Sequence, residues 1–327
     1  MKACRNCGRD ITIEANFCPS CGISMLGVVA DERFLGGSGG RGEAAGRPEV
    51  QSPGPGQAGQ FGRISPEELA AYILPVRGKL ISAHQNQPPM LHAIAMGDWA
   101  LAAAIPQITC EAVGGKAQEA MDLAYAYSLG LIAGRVYDDI MDRTIERKGK
   151  RTVWREFGDP VAVPLGIECL YEMLDGLTNY DARLGRATSD ELSKTFRLAL
   201  VESARAEERE KLSMRSNVDL PFSERLRLAQ GKRGILIAAG TAGGAIVGRG
   251  TEEEVELLRN YGMHMGTANQ LFDDSSDPDY TQVYREQALS VSRELTAEAL
   301  KCTDRLRVTE AQRMLRELCK ISEEPLL

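Results

Sequence analysis

Two clusters of aspartates with the same spacing, Asp-Asp-x-x-Asp, constrain the fold of this chain more than any other feature. The first runs from Asp138 to Asp142 and the second from Asp273 to Asp277. Both lie in stretches with helical spacing, and side chains four residues apart leave the same face of a helix. Six carboxylates around one cavity repel one another unless hard cations lie between them, and oxygen-rich sites suit Mg²⁺. We therefore expect two acidic helices that face each other across a metal cluster.

The sequence predicts helices from Ser65 onwards. Ser65, Pro66 and Glu68 have the pattern of a helix start, with an N-cap, a proline in the first turn and a capping-box glutamate. Helical periodicity continues beyond them, with almost no alternating strand pattern. The predicted helices cover roughly 66–83, 88–104, 107–113, 116–147, 159–184, 189–216, 222–247, 252–277 and 281–322. We predict an all-α bundle in which the two acidic helices form a central pair.

A cysteine-rich segment precedes the helices. Residues 1–26 contain two Cys-x-x-Cys pairs separated by ten residues: Cys4, Cys7, Cys18 and Cys21. Four thiolates bind Zn²⁺ in a tetrahedral site, and a segment this short cannot fold on an apolar core alone. Because a four-cysteine shell leaves no open position on the metal, we predict a structural zinc ribbon rather than a catalytic site.

The composition then changes between the ribbon and the helices. Residues 27–62 are rich in Gly, Ala, Pro, Ser and Gln, and such a segment buries too little apolar surface to order itself. We predict three parts: a zinc ribbon over 1–26, a flexible linker over 27–62, and an all-helical domain over 63–327.

Charge and hydropathy exclude several classes of function. The net charge of −7 argues against a nucleic-acid-binding surface. The longest apolar run, Ile235 to Val247, is too short and too rich in glycine to span a bilayer. The first residues contain no apolar segment of the signal-peptide type, so we expect a cytoplasmic protein. With only three histidines, a histidine-centred catalytic triad is not expected.

Basic residues follow the first acidic cluster and precede the second acidic helix. Arg143, Arg147 and Lys148 lie just after the first cluster, and Lys232 and Arg233 begin the segment before the second helix. Each run taken alone is also typical of a solvated surface. Their order along the chain (acid, base, base, acid) favours an anion held by Mg²⁺ on one side and by ammonium or guanidinium groups on the other.

Residues 100–277 resemble the polyprenyl synthetase family, the trans-isoprenyl diphosphate synthases. Asp138–Asp142 is similar to the family's first aspartate-rich motif, and Arg147–Thr152 to its Arg-Arg-Gly-x-Pro-Thr segment. Tyr261–Asp277 is similar to the segment that ends in the second motif, and Cys110–Gly115 to an early helix. The resemblance implies an isoprenoid-synthase-type helical bundle.

The resemblance also implies the site residues. Asp138, Asp142 and Asp273 are the expected ligands of up to three Mg²⁺, with Asp139, Asp274 and Asp277 in support. The residues expected to contact the prenyl diphosphate are Arg147, Lys148, Lys232, Gln270, Ala133 and Gly134. Since bulky residues four or five before the first motif shorten the product in this family, the small Ala133 and Gly134 imply a tunnel that extends past Gly130 and accepts a chain of C15 or longer.

The chain departs from the family where isopentenyl diphosphate binds. The family has Gly-Gly-Lys-Arg-x-Arg-Pro there, whereas this chain has Gly97-Asp-Trp-Ala-Leu-Ala-Ala103. Leu131 stands where the family has a histidine or glutamine, and Lys148 replaces the second arginine of the basic segment. The family's Gly-Lys loop after the second motif is reduced to Pro278-Asp-Tyr-Thr281. A second diphosphate would be poorly compensated by so few cations.

Three functions therefore stay open. The first is chain elongation with a second site that is rebuilt or supplied by a partner subunit. The second is ionisation without isopentenyl diphosphate, as a class I terpene cyclase or a prenyltransferase to another acceptor. The third is a non-catalytic regulatory subunit. The resemblance implies a homodimer, or a heteromer with another prenyl synthase subunit, and release of an apolar product at a membrane surface.

Overall fold

The computed structural model of the chain describes residues 2–3, 10–11, 64–178, 180–216, 218–277 and 280–321. The chain divides into two compact units, Met1–Arg63 and Ile64–Leu327. In the first unit, strand β1 (Lys2–Ala3) pairs antiparallel with strand β2 (Asp10–Ile11). The predicted zinc ligands Cys4, Cys7, Cys18 and Cys21 and the predicted linker 27–62 lie outside the described residues. The ribbon, its zinc and the linker therefore stay predictions.

The described part of the second unit is built almost entirely from helices, which confirms the all-α prediction. The helices are α1 Pro66–Ala83, α2 Pro88–Met96, α3 Ala100–Ala112, α4 Met121–Met141, α5 Val153–Phe157, α6 Asp159–Thr178, α7 Asp181–Leu184, α8 Arg186–Arg215, α9 Phe222–Ala229, α10 Ile235–Val247, α11 Glu252–Ser276, α12 Gln282–Asp304 and α13 Glu310–Ile321. A 3-10 turn (Ala117–Ala120) precedes α4, and a π-helical segment (Gln230–Gly234) joins α9 to α10. A small hairpin of β3 (Glu146–Arg147) and β4 (Lys150–Arg151) follows α4.

The predicted helix start at Ser65 is confirmed. The Glu68 N–H donates to Ser65 Oγ at 3.1 Å, and the Ser65 N–H donates to the Glu68 carboxylate at 2.6 Å. Helix α11 begins with the same reciprocal pair, formed by Thr251 and Glu254. Each capping box satisfies N–H groups that have no partner within the helix.

Helix α10 lies at the centre of the bundle, and every residue from Ile237 to Val247 is buried. Glycines allow neighbouring helices to approach it closely. A Cβ atom at Gly244 would lie 2.2 Å from the Pro106 carbonyl oxygen of α3, and one at Gly262 would lie 2.7 Å from Ala238 Cα of α10. These contacts hold α3 and α11 against α10 at distances that a larger side chain prevents.

Several predicted helix boundaries were wrong. The predicted helix 88–104 ends at Met96, because Gly97 takes a left-handed conformation with φ 79° and the Trp99 indole donates to the Ile94 carbonyl at 2.9 Å. Helix α3 instead continues through Pro106, where a joint was expected. The predicted helix 116–147 ends at Met141, and the chain turns into the hairpin.

The length and hydropathy of the described helices bear on whether one of them could span a membrane. None of the described helices is by itself long and apolar enough to cross a bilayer, and only α2 and α3 taken together, bent by 68°, meet the length and composition criteria.

The two acidic helices do not form the central pair that the sequence predicted. Helix α4 packs mainly against α6 and α3, whereas α11 packs mainly against α10 and α12. Two faces that carry three aspartates each repel one another, so direct packing between them is unfavourable. Basic side chains from other segments instead pair with the aspartates of each end: Arg147 with Asp139, Lys211 with Asp142 and Arg233 with Asp273.

Candidate functional site

The first aspartate cluster lies at the C-terminal end of α4. Asp139 is only 3% exposed, and its Oδ1 accepts a hydrogen bond from Arg147 Nε at 2.6 Å. Asp138 lies one residue earlier, and its Oδ2 is 3.4 Å from Arg135 Nη1 of the same helix. Burial raises the pKa of both carboxyl groups above the ordinary aspartate value, while the neighbouring guanidinium groups act in the opposite direction. Both carboxylates therefore lie where additional positive charge is favourable.

The hairpin after α4 explains how Arg147 reaches Asp139. The Thr152 hydroxyl donates to the Thr144 carbonyl at 2.7 Å, and the Trp154 indole donates to the same oxygen at 2.8 Å. These bonds fold β3 and β4 back towards the end of α4. Arg147 in β3 is thereby brought to the cluster, as the family resemblance implies.

Lys148 takes a different position from Arg147. It lies at the tip of the hairpin with φ 48°, and its Nζ is 3.6 Å from Asp98 Oδ1. Asp98 Oδ2 is in turn 3.7 Å from Arg135 Nε. Asp98, in the bend between α2 and α3, thus neutralises two cations beside the first cluster.

A small cavity adjoins these residues. It is lined mostly by apolar side chains and by Asp98, Arg135 and Asp139: Ala93, Met96, Asp98, Trp99, Leu131, Ile132, Arg135, Val136, Asp139 and Val153. Within the described part of the chain, Asp98 Oδ2 is buried and accepts no hydrogen bond. The residues that depart from the family pattern, Asp98, Trp99 and Leu131, thus meet in one chamber next to the aspartates.

Lys232 lies in the π-helical segment and points towards α8. Its Nζ is 3.0 Å from Glu207 Oε2 and also pairs with Glu210. Burial acts to lower the pKa of Lys232, but Glu210 and Glu207 outweigh it and raise the pKa above the ordinary lysine value. The lysine is therefore firmly protonated. π-Helical turns occur often at functional sites.

Helix α8 supplies charged residues that the sequence patterns did not single out. Lys211 pairs with Asp142 of the first cluster, and its Nζ is 3.3 Å from Glu207 Oε1. Glu207, Glu210 and Lys211 occur at i, i+3 and i+4, which places them on one face of a helix. That spacing is visible in the sequence, but it identifies a site only once α8 is known to lie beside α4.

The second cluster lies at the C-terminal end of α11. Asp273 Oδ2 accepts a hydrogen bond from Arg233 at 2.6 Å. Asp274 accepts hydrogen bonds from Gln270 at 2.8 Å and from the Tyr284 hydroxyl at 2.9 Å. Burial raises the pKa of Asp274, and these two donors oppose that increase. Gln270 is thus held on Asp274.

Asp277 differs from the other aspartates because its backbone is extended, whereas Asp142, the C-cap of α4, keeps a helical conformation. It forms the C-cap of α11 with φ −78° and ψ 120°, and its N–H donates to the Asp274 carbonyl. The helical spacing predicted for the second cluster therefore ends one residue before Asp277.

Lys232 connects the two clusters electrostatically. Burial raises the pKa of Asp138 at the end of α4 and of Asp274 at the end of α11, and the positive charge of Lys232 opposes both increases. Since charge interactions weaken with distance, both clusters lie within reach of one ammonium group. The two aspartate clusters and the basic residues that pair with them, Arg147, Lys211 and Arg233, are the candidate diphosphate cleft.

The residues present fit divalent metal ions. The donors are carboxylate oxygens, which Mg²⁺ prefers. Asp139, Asp142 and Asp273 each use one oxygen for the basic partner described above, which leaves the second oxygen as a possible metal ligand. Burial raises the pKa of Asp139 and of the partly buried Asp138 and Asp274, and the neighbouring cations and hydrogen-bond donors only partly offset this increase.

The helix positions expected to set the tunnel depth differ in their surroundings. Ala133 is fully buried, and a Cβ at Gly134 would meet open space. The expectation that the tunnel extends past Gly130 stays a prediction, although Met173 lies at that level. A Cβ at Gly130 would lie 2.4 Å from the Met173 sulfur of α6, so Met173 fills that level. Tyr127 lies one turn deeper, where it is buried and its hydroxyl donates to the Leu236 carbonyl at 2.9 Å.

Comparison with known proteins identifies the class. The family model described as polyprenyl synthetase matches residues 94–285, which is more than half of the chain. The chain belongs to the polyprenyl synthetase family.

Two curated relatives illustrate the similarity. The short chain isoprenyl diphosphate synthase of Methanothermobacter thermautotrophicus is 28% identical over 188 residues, which cover 57% of this chain and 56% of the relative. A putative geranylgeranyl pyrophosphate synthase 8 of Arabidopsis thaliana is 30% identical over 231 residues, which cover 67% of this chain and 62% of the relative. The matched part of the chain thus spans less than two thirds of either relative.

Solved structures show the same fold. The geranylgeranyl pyrophosphate synthetase of Pyrococcus horikoshii superposes with a TM-score of 0.68 at 21% identity, covering 80% of this chain and 99% of that one. The enzyme of the same name from Geoglobus acetivorans superposes with a TM-score of 0.66 at 20% identity, covering 78% and 99%. The described helices therefore form the all-α isoprenoid synthase fold.

Proposed function

We propose that this protein ionises an allylic prenyl diphosphate with the help of Mg²⁺ and elongates the chain, as a trans-polyprenyl diphosphate synthase. The observation that carries the proposal is the pairing of basic side chains with both aspartate clusters: Arg147 with Asp139, Lys211 with Asp142 and Arg233 with Asp273. Membership of the polyprenyl synthetase family and the names of the curated relatives support it.

The proposed roles divide the cleft between carboxylates and cations. Asp138, Asp142 and Asp273 are the proposed Mg²⁺ ligands, supported by Asp139, Asp274 and Asp277. Bound Mg²⁺ supplies a Lewis acid that stabilises negative charge on the departing diphosphate.

The proposed diphosphate contacts are Arg147, Lys148, Lys232 and Gln270, to which the structure adds Lys211 and Arg233 as candidates. Each of these six side chains is already held near the cleft by a carboxylate, so little ordering is needed when the substrate arrives. Ala133 and the exposed Gly134 leave room for the prenyl chain beside α4. An apolar interior then keeps water from the allylic cation.

The test is product analysis with the full chain, Mg²⁺ and labelled isopentenyl diphosphate. Geranyl, farnesyl and geranylgeranyl diphosphates serve as allylic substrates in separate reactions. Chain elongation predicts labelled prenyl diphosphates longer than the substrate. A folded, Mg²⁺-loaded protein that incorporates no label with any of the three would contradict elongation.

One observation favours a second candidate function, prenyl transfer to an acceptor other than isopentenyl diphosphate, or cyclisation. Asp98 neutralises Arg135 and Lys148 beside a mostly apolar cavity, which is a poor environment for a second diphosphate. This candidate predicts release of diphosphate without isopentenyl diphosphate and without incorporation of its label. Neither release nor incorporation is the result expected of the third candidate, a non-catalytic regulatory subunit.

We also propose that the protein assembles, as a homodimer or with another prenyl synthase subunit. Large apolar side chains on α6 support this, because Val161, Ile167 and Tyr171 are all exposed. We further propose a cytoplasmic location and release of the product at a membrane surface. We also propose that structural Zn²⁺ is bound by four cysteines, Cys4, Cys7, Cys18 and Cys21. Measurement of the molar mass in solution tests the assembly.

A further inference from the structure

His84 lies far from the aspartate clusters and is almost completely buried. It is the C-cap of α1, with 3% of its surface exposed. Its Nδ1 is 2.8 Å from Gln87 Oε1, and Gln87 Nε2 donates to Glu168 Oε1 at 2.8 Å. Because a carboxylate only accepts hydrogen bonds, the Gln87 amide nitrogen must face Glu168 and its oxygen must face His84. The ring proton of neutral His84 therefore lies on Nδ1.

The other ring nitrogen of His84 faces acidic groups. Nε2 is 3.5 Å from Glu172 Oε2 and 3.2 Å from the Tyr125 hydroxyl. Glu168 lies one turn before Glu172 on α6, and one ligand atom from each of His84, Glu168 and Glu172 lies within 4.8 Å of the others. Two elements thus direct one imidazole nitrogen and two carboxylates towards a common point.

The charges at this point are not balanced by basic side chains. Among the described residues, neither Glu168 nor Glu172 forms an ion pair with a lysine or an arginine. Lys79, which lies over the Tyr125 ring, is paired with Asp122 at 2.6 Å. Like charges at i and i+4 of a helix destabilise it, and the lone pair of Nε2 adds to the negative potential. A bound cation removes this repulsion.

We propose that His84, Glu168 and Glu172 bind a divalent transition metal, Zn²⁺ or Mn²⁺, at a site separate from the diphosphate cleft. Imidazole nitrogen with carboxylate oxygen is a ligand set for these ions, whereas Mg²⁺ prefers oxygen alone. Gln87 bonds to both His84 and Glu168, which is the arrangement by which outer-shell groups orient metal ligands. Both glutamates are only partly buried, so their side chains have room to close around the ion.

The site links three helices and is independent of the proposed catalytic function. His84 ends α1, Gln87 precedes α2, and both glutamates belong to α6. Tyr125 lies thirteen residues before Asp138 in α4, which corresponds to about 20 Å along a helix. The metal therefore stabilises the turn between α1 and α2 against α6 and leaves the aspartate clusters free.

Metal content and thermal unfolding test the proposal on the full chain. The protein is stripped of metal, dialysed against Zn²⁺, and its zinc content per chain is measured, with Mn²⁺ in a parallel series. Glu172→Gln and His84→Gln are compared with wild type. His92→Gln is the matched control, because His92 contacts the Arg151 carbonyl and the Phe157 ring and neither glutamate. Zinc bound by the cysteines is common to all four proteins and cancels in the comparison.

We expect wild type and His92→Gln to bind one more metal ion per chain than the other two variants. On addition of metal, the midpoint of thermal unfolding should also rise more for wild type and His92→Gln than for Glu172→Gln and His84→Gln. Gln87→Ala should weaken this additional binding about 10- to 100-fold. Equal metal content in wild type and Glu172→Gln, for Zn²⁺ and for Mn²⁺ alike, would overturn the proposal. Since Glu172→Gln keeps an oxygen for Tyr125, that variant remains informative even if His84→Gln fails to fold.

Discussion

Lys232 and Glu207 form an ion pair of 3.0 Å at the centre of the proposed diphosphate cleft. The ammonium group that acts on both aspartate clusters is therefore held by a carboxylate of α8 before any substrate arrives. The second carboxylate, Glu210, contacts the same lysine. A diphosphate must compete with both glutamates for Lys232, and this competition sets the affinity of the cleft.

The competition predicts the effect of neutralising Glu207. Glu207→Gln removes one of the two carboxylate charges that pair with Lys232, while the size of the side chain is kept. Loss of a competing charge interaction of ~1 kcal/mol lowers KM for the prenyl diphosphate about fivefold. Steady-state kinetics with varied prenyl diphosphate measures this change. An increase in KM would show that Glu207 orients Lys232 rather than competing for it.

Lys211 should contribute to diphosphate binding, although no sequence motif includes it. It pairs with Asp142, so it lies at the edge of the proposed metal cluster. Lys211→Gln removes one ammonium group and should raise KM for the prenyl diphosphate about tenfold, which corresponds to ~1.4 kcal/mol. Lys194→Gln is the control, because Lys194 is an exposed residue of the same helix. Equal KM values for the two variants would remove Lys211 from the cleft.

The metal-free protein should become more stable when Asp138 loses its charge. Burial raises the pKa of Asp138 in the folded state, with further repulsion from Glu207 and Asp142. A carboxyl group whose folded pKa is raised favours folding at low pH, and this contribution is lost as the pH rises through the folded pKa. At neutral pH, Asp138→Asn should therefore unfold at a higher temperature than wild type without metal. The difference should vanish below about pH 4, where the carboxyl group is protonated in both states.

Mg²⁺ should reverse that order. It stabilises wild type by binding the charged Asp138 and stabilises Asp138→Asn much less. Thermal unfolding with and without Mg²⁺ at neutral pH measures both effects. If Asp138→Asn were less stable than wild type in metal-free buffer at neutral pH, the carboxylate would not be the strained group described here.

Met173 should limit the length of the prenyl chain. Its sulfur fills the space beside Gly130, one turn deeper than the open position at Gly134. Met173→Ala opens that level, so the longest product should gain at least one isoprene unit, at a cost of about 2–5 kcal/mol in the free energy of unfolding. Leu177→Ala is the control, since Leu177 is buried one turn further along α6. Unchanged product lengths in a folded Met173→Ala variant would place the end of the tunnel elsewhere.

Local patterns in the sequence predicted the helices well. The capping residues of α1 and the periodicity of its apolar positions act within a few residues, so they can be read without knowledge of the tertiary structure. Boundaries depended on longer-range contacts. Helix α3 continues through Pro106 because it packs closely on α10 at Gly244, and no local rule contains that contact.

The candidate site also combines local features, which the sequence predicts, with long-range contacts, which it does not. Each aspartate cluster lies at the end of a helix that the sequence predicted, with Asp142 and Asp277 as the C-caps, because a motif on one helix is a local feature. The partners Glu207 and Lys211 could not be found in this way, because Lys211 meets Asp142 only through the packing of α8. Met173 escaped prediction for a related reason, since it reaches Gly130 from another helix.

The central claim is that the two aspartate clusters hold metal ions that draw diphosphate from an apolar chain. Release of inorganic diphosphate from farnesyl diphosphate in the presence of isopentenyl diphosphate, measured with Mg²⁺ for wild type and for Asp138→Ala, tests it most directly. We predict release by wild type that requires Mg²⁺, and a loss of at least about a hundredfold in rate for Asp138→Ala. Retained turnover in Asp138→Ala, or wild-type release that is indifferent to Mg²⁺, would contradict the account.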